Sequence, residues 1–345
     1  MAGIYSQGGS AGHRYAGWLS SVEAKNFQFG GKVFNGSPSA IYVGSNLVWT
    51  YWLKHAAMQA IMDAFGVSDG TAVINATNQY LNQLAASDRD KATALAGFIN
   101  EDPMMVCSLG LEPQGVTMPH RYLIGDGTSY LRTSVLIKTN SVFAIEFYNA
   151  ASSISGYPGL FGSGTTWNAT NAAWLGLPEN AYGKVALWIN GGDWPNCVTG
   201  TVYSNYSDIL ECTDIKISGF KCKNLTTGAT STASSGKTSI QGTVPMQIFG
   251  YSSNGTSVAN KGFAIAYWQH IGDTNNRLLP IILGKARTAD QVYPSSKGAQ
   301  AVGTKGMIDI ETGLFHPNAN SSGSFTIGYK KYQNGSWVTW TPSTP

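Results

Sequence analysis

Tyr122-Leu123-Ile124-Gly125-Asp126-Gly127-Thr128-Ser129-Tyr130-Leu131-Arg132-Thr133 sets two short runs of aromatic and branched residues on either side of an Asp-Gly pair. Such runs suit a pleated, half-buried surface, and glycine accepts the backbone angle that a tight hairpin turn demands. A second arrangement of this kind lies far downstream, in Gly306-Met307-Ile308-Asp309-Ile310-Glu311-Thr312-Gly313-Leu314-Phe315. There Asp309 is placed to accept hydrogen bonds from the amides that follow it, and Thr312-Gly313 closes the turn. Asp126, Gly127, Asp309 and Gly313 therefore read as turn-forming residues rather than as ligand or metal groups.

Outward from these turns, strand-length runs bounded by Gly, Asn and Ser recur past Pro103. The candidates are 122–124, 130–137, 142–148, 185–189, 209–213, 215–220, 246–249, 262–271, 278–283 and 324–332. About ten short strands over more than two hundred residues fit two stacked sheets. Lys223 to Lys237, rich in Thr, Ser, Ala and Gly, reads as a flexible loop or hairpin tip. Composition agrees: 43% of the 345 residues are hydrophobic, enough for a conventional core, only 12% are charged, and 41 are glycine. The formal charge of +3 is small and scattered, which argues against nucleic acid. Residues 1–20 lack the pattern of a cleavable signal, and no apolar run reaches membrane-spanning length, so neither export by that route nor a membrane partner is expected.

Upstream the pattern changes. Leu53, Ala56, Ala57, Ala60, Ile61 and Ala64 fall at helical spacing, with Gly66 as the stop, and two further short helices are expected before Asn100. Residues 1–50, rich in glycine and aromatics, read as an extended arm with one hairpin. The expected organisation is thus an arm over 1–50, a short helical collar over 51–102 and a β-sandwich over 103–345. Cys107, Cys197, Cys212 and Cys222 form no CxxC pair and are read as reduced structural thiols, with a Cys197 to Cys222 bridge as the lesser option.

The segment from Tyr122 to Thr133 resembles the opening strand pair of concanavalin-A-like domains found in bacteriophage and gut-bacterial surface proteins. Arg277-Leu278-Leu279-Pro280, the Gly306 to Phe315 segment and Asn318 to Gly328 are similar to that family's closing signature, and Phe161-Gly162 sits where the family often has a Phe-Gly strand. The match covers about residues 115–330. In the arm, Ile41-Tyr42-Val43-Gly44-Ser45-Asn46-Leu47-Val48-Trp49 resembles a short hairpin that recurs in phage virion proteins. The resemblance implies a mainly β chain: a concanavalin-A-like (laminin-G-like, jelly-roll) sandwich preceded by a small α-helical segment and an extended N-terminal arm. It further implies a structural virion protein, a head or tail fibre or appendage assembled in the host cytoplasm, anchored to other virion proteins through Tyr42, Val43, Gly44 and Trp49. Fibres close by rotational symmetry, so a homotrimer is the natural assembly.

The same scaffold also carries glycoside hydrolases, which need two carboxylates on one strand or on facing strands. Asp309 with Glu311 lies in an expected turn, and Glu211 to Asp214 puts its acids on opposite strand faces, so catalysis is not expected. His13, His55, His120, His270 and His316 show no metal spacing. No cofactor and no metal are expected. Binding fits better, because sugar sites combine aromatic faces with Asn and Asp groups. Trp167, Asn171, Trp174, Asn190, Asp193 and Trp194 have that composition, as does the tip near Tyr251; Trp167, Trp174 and Trp188 could equally be core. The expected partner is a host-surface or mucosal glycan or another receptor. A secreted or cell-surface bacterial lectin-like module is the alternative, and a glycoside hydrolase the lesser one.

Overall fold

Val142-Phe143-Ala144-Ile145-Glu146-Phe147-Tyr148-Asn149 alternates large apolar residues with others, the period of a strand that buries one face. Repeated across the chain, that rule builds the fold. The computed structural model describes residues 26–29, 32–35, 40–43, 46–50, 102, 119–151, 158–164, 171–177, 183–189, 198–201, 205–253, 256–259 and 261–341. Apart from Asp102, the helical collar expected over 51–102 lies outside the described residues. Two compact units divide the chain, residues 1–120 with 329–345 and residues 121–328.

The first unit holds two hairpins near its start, β1 (Asn26–Phe29) with β2 (Lys32–Asn35) and β3 (Ala40–Val43) with β4 (Asn46–Thr50). In the second unit, which takes β5 from Arg121 onward, the strands are β5 (His120–Asp126), β6 (Leu131–Arg132), β7 (Val142–Asn149), β8 (Gly159–Gly164), β9 (Ala173–Gly176) and β10 (Lys184–Ile189). They continue as β11 (Val198–Thr201), β12 (Leu210–Lys216), β13 (Gly219–Asn224), β14 (Thr230–Ser234), β15 (Gln247–Ile248) and β16 (Gly250–Ser253). After β17 (Thr256–Ala259) and β18 (Lys261–Ile271) come β19 (Asn276–Ile282), β20 (Lys305–Asp309) and β21 (Phe315–Pro317). The chain closes with a hairpin of β22 (Thr326–Gln333) and β23 (Ser336–Thr339).

Two sheets form the second unit. The smaller runs β11-β10-β9-β8-β15-β6, with β16 also beside β8 and paired to β17. The larger runs β14-β13-β12-β7-β18-β19-β20-β21, with β5 on the first half of β18. Among the described residues β16 lies parallel to β8, and Val292 adds an isolated parallel bridge to Phe315 of β21, while the other pairings named here are antiparallel. Leu175, Leu187 and Phe161 of the smaller sheet share one buried cluster with Phe143, Ile145 and Trp268 of the larger. Fully burying one such side chain stabilises the fold by roughly 1.5–3 kcal/mol, so this shared interior is the main source of stability. A mainly β, two-layer sandwich is therefore the architecture.

Several boundaries differ from the sequence reading. The expected strand 215–220 contains the turn: Asp214 has φ 49°, the register shifts between Thr213 and Lys216, and Gly219 at φ 134° opens β13. Strand 130–137 shortens to β6, yet its remainder still pairs, with Thr133 N donating to Met246 O (3.1 Å) and Gly242 N to Ile137 O (2.7 Å). Lys223 to Lys237, expected as a loop or hairpin tip, holds the end of β13, a turn at 225–229 and the edge strand β14. No helix among the described residues is long and apolar enough to cross a membrane.

Both Asp turns hold long-range contacts. Asp309, 1% exposed, accepts from Asn276 Nδ2 (2.8 Å), Arg277 N (2.9 Å), Glu311 N (3.1 Å) and Thr312 Oγ1 (2.8 Å), and Gly313 takes φ 77° in the same turn. Asp126 is exposed, but accepts from Thr128 N, Thr128 Oγ1 and Ser129 N at 2.9 Å each and from Ser324 N at 2.7 Å, while Gly127 takes φ 95°. Desolvation pushes the Asp126 carboxyl upward, and the donors from Ser324, Thr128 and Ser129 outweigh it, leaving the carboxyl well below its usual range.

Replacing Asp309 by Ala strands two buried-side amides and two side-chain donors. Asp309→Ala is expected to cost about 3 kcal/mol in urea unfolding, and a loss below about 1 kcal/mol would deny it that role. For Asp126 the folded-state carboxyl ionises below its unfolded value of about 3.9. Its contribution is present above that pH and is lost as pH falls through the lowered value. Asp126→Asn is expected to flatten the acid limb of a stability-versus-pH curve; an unchanged limb would count against the network.

Candidate functional site

The outer face of the smaller sheet carries an aromatic ladder. Leu175 and Leu187 point into the core, so by alternation their neighbours Trp174 and Trp188 point outward. Registration does the rest. Trp174 is paired directly with Trp188 across β9 and β10 and with Gly162 across β8 and β9. The Trp174 and Trp188 rings stack with centroids 5.7 Å apart, and Tyr251 stacks on Trp174 at 5.5 Å. Each such contact adds about 0.5–1.5 kcal/mol beyond area burial.

Gly162 makes this possible. A Cβ there would lie 2.1 Å from the Trp174 Cβ and 2.9 Å from the Ala173 carbonyl. The Phe-Gly pair picked out in the sequence is thus a close-packing position beside the ladder.

Of the expected sugar-binding residues, Trp167, Asn190, Asp193 and Trp194 lie outside the described residues. Trp174 needs correction as a surface platform: it is only 2% exposed and packs between Trp188 and Tyr251, because β9 seats it in register with another tryptophan. Asn171 takes φ 69° and its Oδ1 accepts from Gln241 N at 3.2 Å. Tyr251 is the partly exposed rung, and burial raises its hydroxyl pKa. Tyr42 and Val43 lie on β3 and Trp49 on β4, opposite Ile41, whereas Gly44 lies outside the described residues.

A second constellation, on the larger sheet, escaped sequence reasoning. Glu146 of β7 and Glu211 of β12 are direct cross-strand partners. Tyr122 OH donates to Glu146 Oε1 at 2.6 Å, and Tyr267 OH to Glu211 Oε1 at 2.9 Å. Burial first, then the Glu146 charge, pushes the Tyr122 hydroxyl up; burial and the charges of Glu211 and Glu146 do the same to Tyr267, with Arg277 opposing. Glu211 thus faces Glu146, whereas Asp214 sits at the bulge and pairs with Lys221 at 2.7 Å. The available signal was a glutamate inside the apolar run Val142 to Asn149. Directly opposed residues have Cβ atoms about 4.5–5.5 Å apart, so the two glutamates leave the sheet side by side. Glu146, however, is only 4% exposed.

Among the described residues no group of three or more His, Cys, Asp or Glu gathers for a metal. A cavity of about 10 Å³ between the sheets, lined by Ile137, Phe143, Phe161, Leu187, Ile215 and Met246, has room for at most one water.

No family model and no curated protein matches the chain. Among solved structures, domains LG4-5 of the mouse laminin alpha1 chain match at 16% identity and a TM-score of 0.33, covering 50% of this chain. The match spans about half, 48%, of that chain's length. The architecture given above rests on this chain's own strand order and register.

The ladder gives a direct test at Gly162. Gly162→Ala is expected to destabilise the protein by about 2–3 kcal/mol, while Gly236→Ala, with nothing within 4 Å of its added Cβ, leaves the urea midpoint unchanged. Equal midpoints for both variants would refute the close packing.

Proposed function

We propose that the chain is a concanavalin-A-like, laminin-G-like binding module of a bacteriophage head or tail fibre, non-enzymatic and directed at host or mucosal glycans. The observation that carries the binding reading is the aromatic ladder ending at the partly exposed Tyr251. A pyranose stacks its apolar side on such a ring, and Asn171, just before β9, offers amide chemistry. Trp167, Asn190, Asp193 and Trp194 flank β9 and β10 in sequence and extend the proposed site. Trp174 changes role in this reading: it backs Tyr251 instead of meeting the sugar. Virion attachment through the arm, a homotrimeric assembly and a virion location are supported by the sequence resemblance.

The opposed Glu146 and Glu211 favour a second reading, hydrolysis of a glycoside by a carboxylate pair. One experiment separates the two. The full chain is applied to a glycan array beside Tyr251→Ala and Trp194→Ala, and bound glycans are assayed for new reducing ends. The binding reading expects capture by the unaltered chain, at least about tenfold weaker capture by Tyr251→Ala, and no reducing ends. Equal capture by all three proteins overturns the proposed site. Sugar release that Glu146→Gln abolishes would install the hydrolase instead.

A further inference from the structure

The hairpin of β12 and β13 places Cys212 directly opposite Cys222, with both side chains in the shared interior. Their Sγ atoms are 2.9 Å apart, and the exposures are 0% for Cys212 and 2% for Cys222. Directly opposed residues of an antiparallel pair have Cα atoms about 4.5 or 5.5 Å apart. Both values fall inside the roughly 4.4–6.8 Å window that a disulfide tolerates. Because both thiols project from the same face, neither has to cross the sheet. A bonded pair needs about 2.04 Å, so closure moves the sulfurs by less than about 1 Å.

We propose that Cys212 and Cys222 are a preformed dithiol that oxidises to a disulfide across the β12–β13 hairpin. The inference is independent of the ligand-binding reading. The chemistry needs a partner, and a low-molecular-weight disulfide such as oxidised glutathione supplies it. One protein thiolate attacks a sulfur of the small disulfide, forming a mixed disulfide and expelling one small thiolate. The second protein thiolate attacks the protein sulfur of that intermediate and expels the other. The protein loses two electrons and two protons, and the oxidant leaves as two thiols.

Access sets the rate. Burial raises the Cys212 thiol pKa, so the sealed hairpin reacts slowly. The route in is along the sheet margin. β13 is one strand from the edge, and the edge strand β14 is largely exposed. Cys222 lies opposite Ser231 of β14, close to the turn at 225–229, so local opening of β14 and that turn gives the oxidant its way in. A reducing compartment keeps the pair open, and an oxidising exterior closes it.

The test incubates the full chain with oxidised glutathione, with and without urea at a concentration that leaves the circular dichroism spectrum native. Free thiols are then alkylated in strong denaturant, and peptides are mapped by mass spectrometry. The expected product is a Cys212 to Cys222 linked peptide, lighter by two hydrogens, formed at least about tenfold faster in the urea arm. It persists in a Cys107→Ser, Cys197→Ser double variant and is absent from Cys222→Ser. Full alkylation of both cysteines in both arms, stable glutathione adducts on them, or a link from Cys222 to Cys197 would overturn the proposal.

Discussion

β18 runs for eleven residues through the middle of the larger sheet, and the placement of nearly everything else follows from its two edges. β7 pairs with one edge from Phe263 opposite Asn149 to Ile271 opposite Val142. The other edge is shared, by β5 first and β19 afterwards. A register shift between Ile265 and Tyr267 changes which residues face inward. Phe263 and Ile265 enter the interior before it, and Trp268 does so after it. Tyr267 is thereby turned outward, where its hydroxyl reaches Glu211. One irregularity thus serves both the packing between the sheets and the polar face behind them.

The two outward faces differ in chemistry. The smaller sheet stacks tryptophan and tyrosine beside a glycine that leaves them room. On the larger sheet, two glutamates stand side by side, each bound to a tyrosine hydroxyl. Opposed like charges repel, and the hydroxyl donors offset part of that cost. On the first face the two tryptophans are buried and only Tyr251 is partly exposed, whereas on the second Glu146 is closed in at 4% exposure.

Legibility in the sequence followed local pattern. The runs that became β7, β10 and β18 are long and rich in branched and aromatic residues, so their type and place could be read directly. β8, with three glycines among six residues, and β14, with four hydroxyl residues among five, carry little strand signal of their own and are ordered by their neighbours. The hairpin after Leu210 was misread because Ile215 and Ile217 look like strand interior, although the bulge and turn lie around them. That error hid the pairing of Cys212 with Cys222. Glu146 and Glu211 meet only through long-range register, which no spacing rule reveals. Trp174 and Trp188 were ambiguous between surface and packing, and cross-strand stacking decides it.

Hydrogen exchange of backbone amides reports strand order without reference to side-chain roles. With β18 and β7 in the middle of the larger sheet and β14 at its edge, the amides of 263–271 and 142–149 are expected to exchange slowest, near the global unfolding limit, and those of 230–234 far faster. Exchange from 263–271 as fast as from 230–234 would contradict the central strand on which this architecture is built.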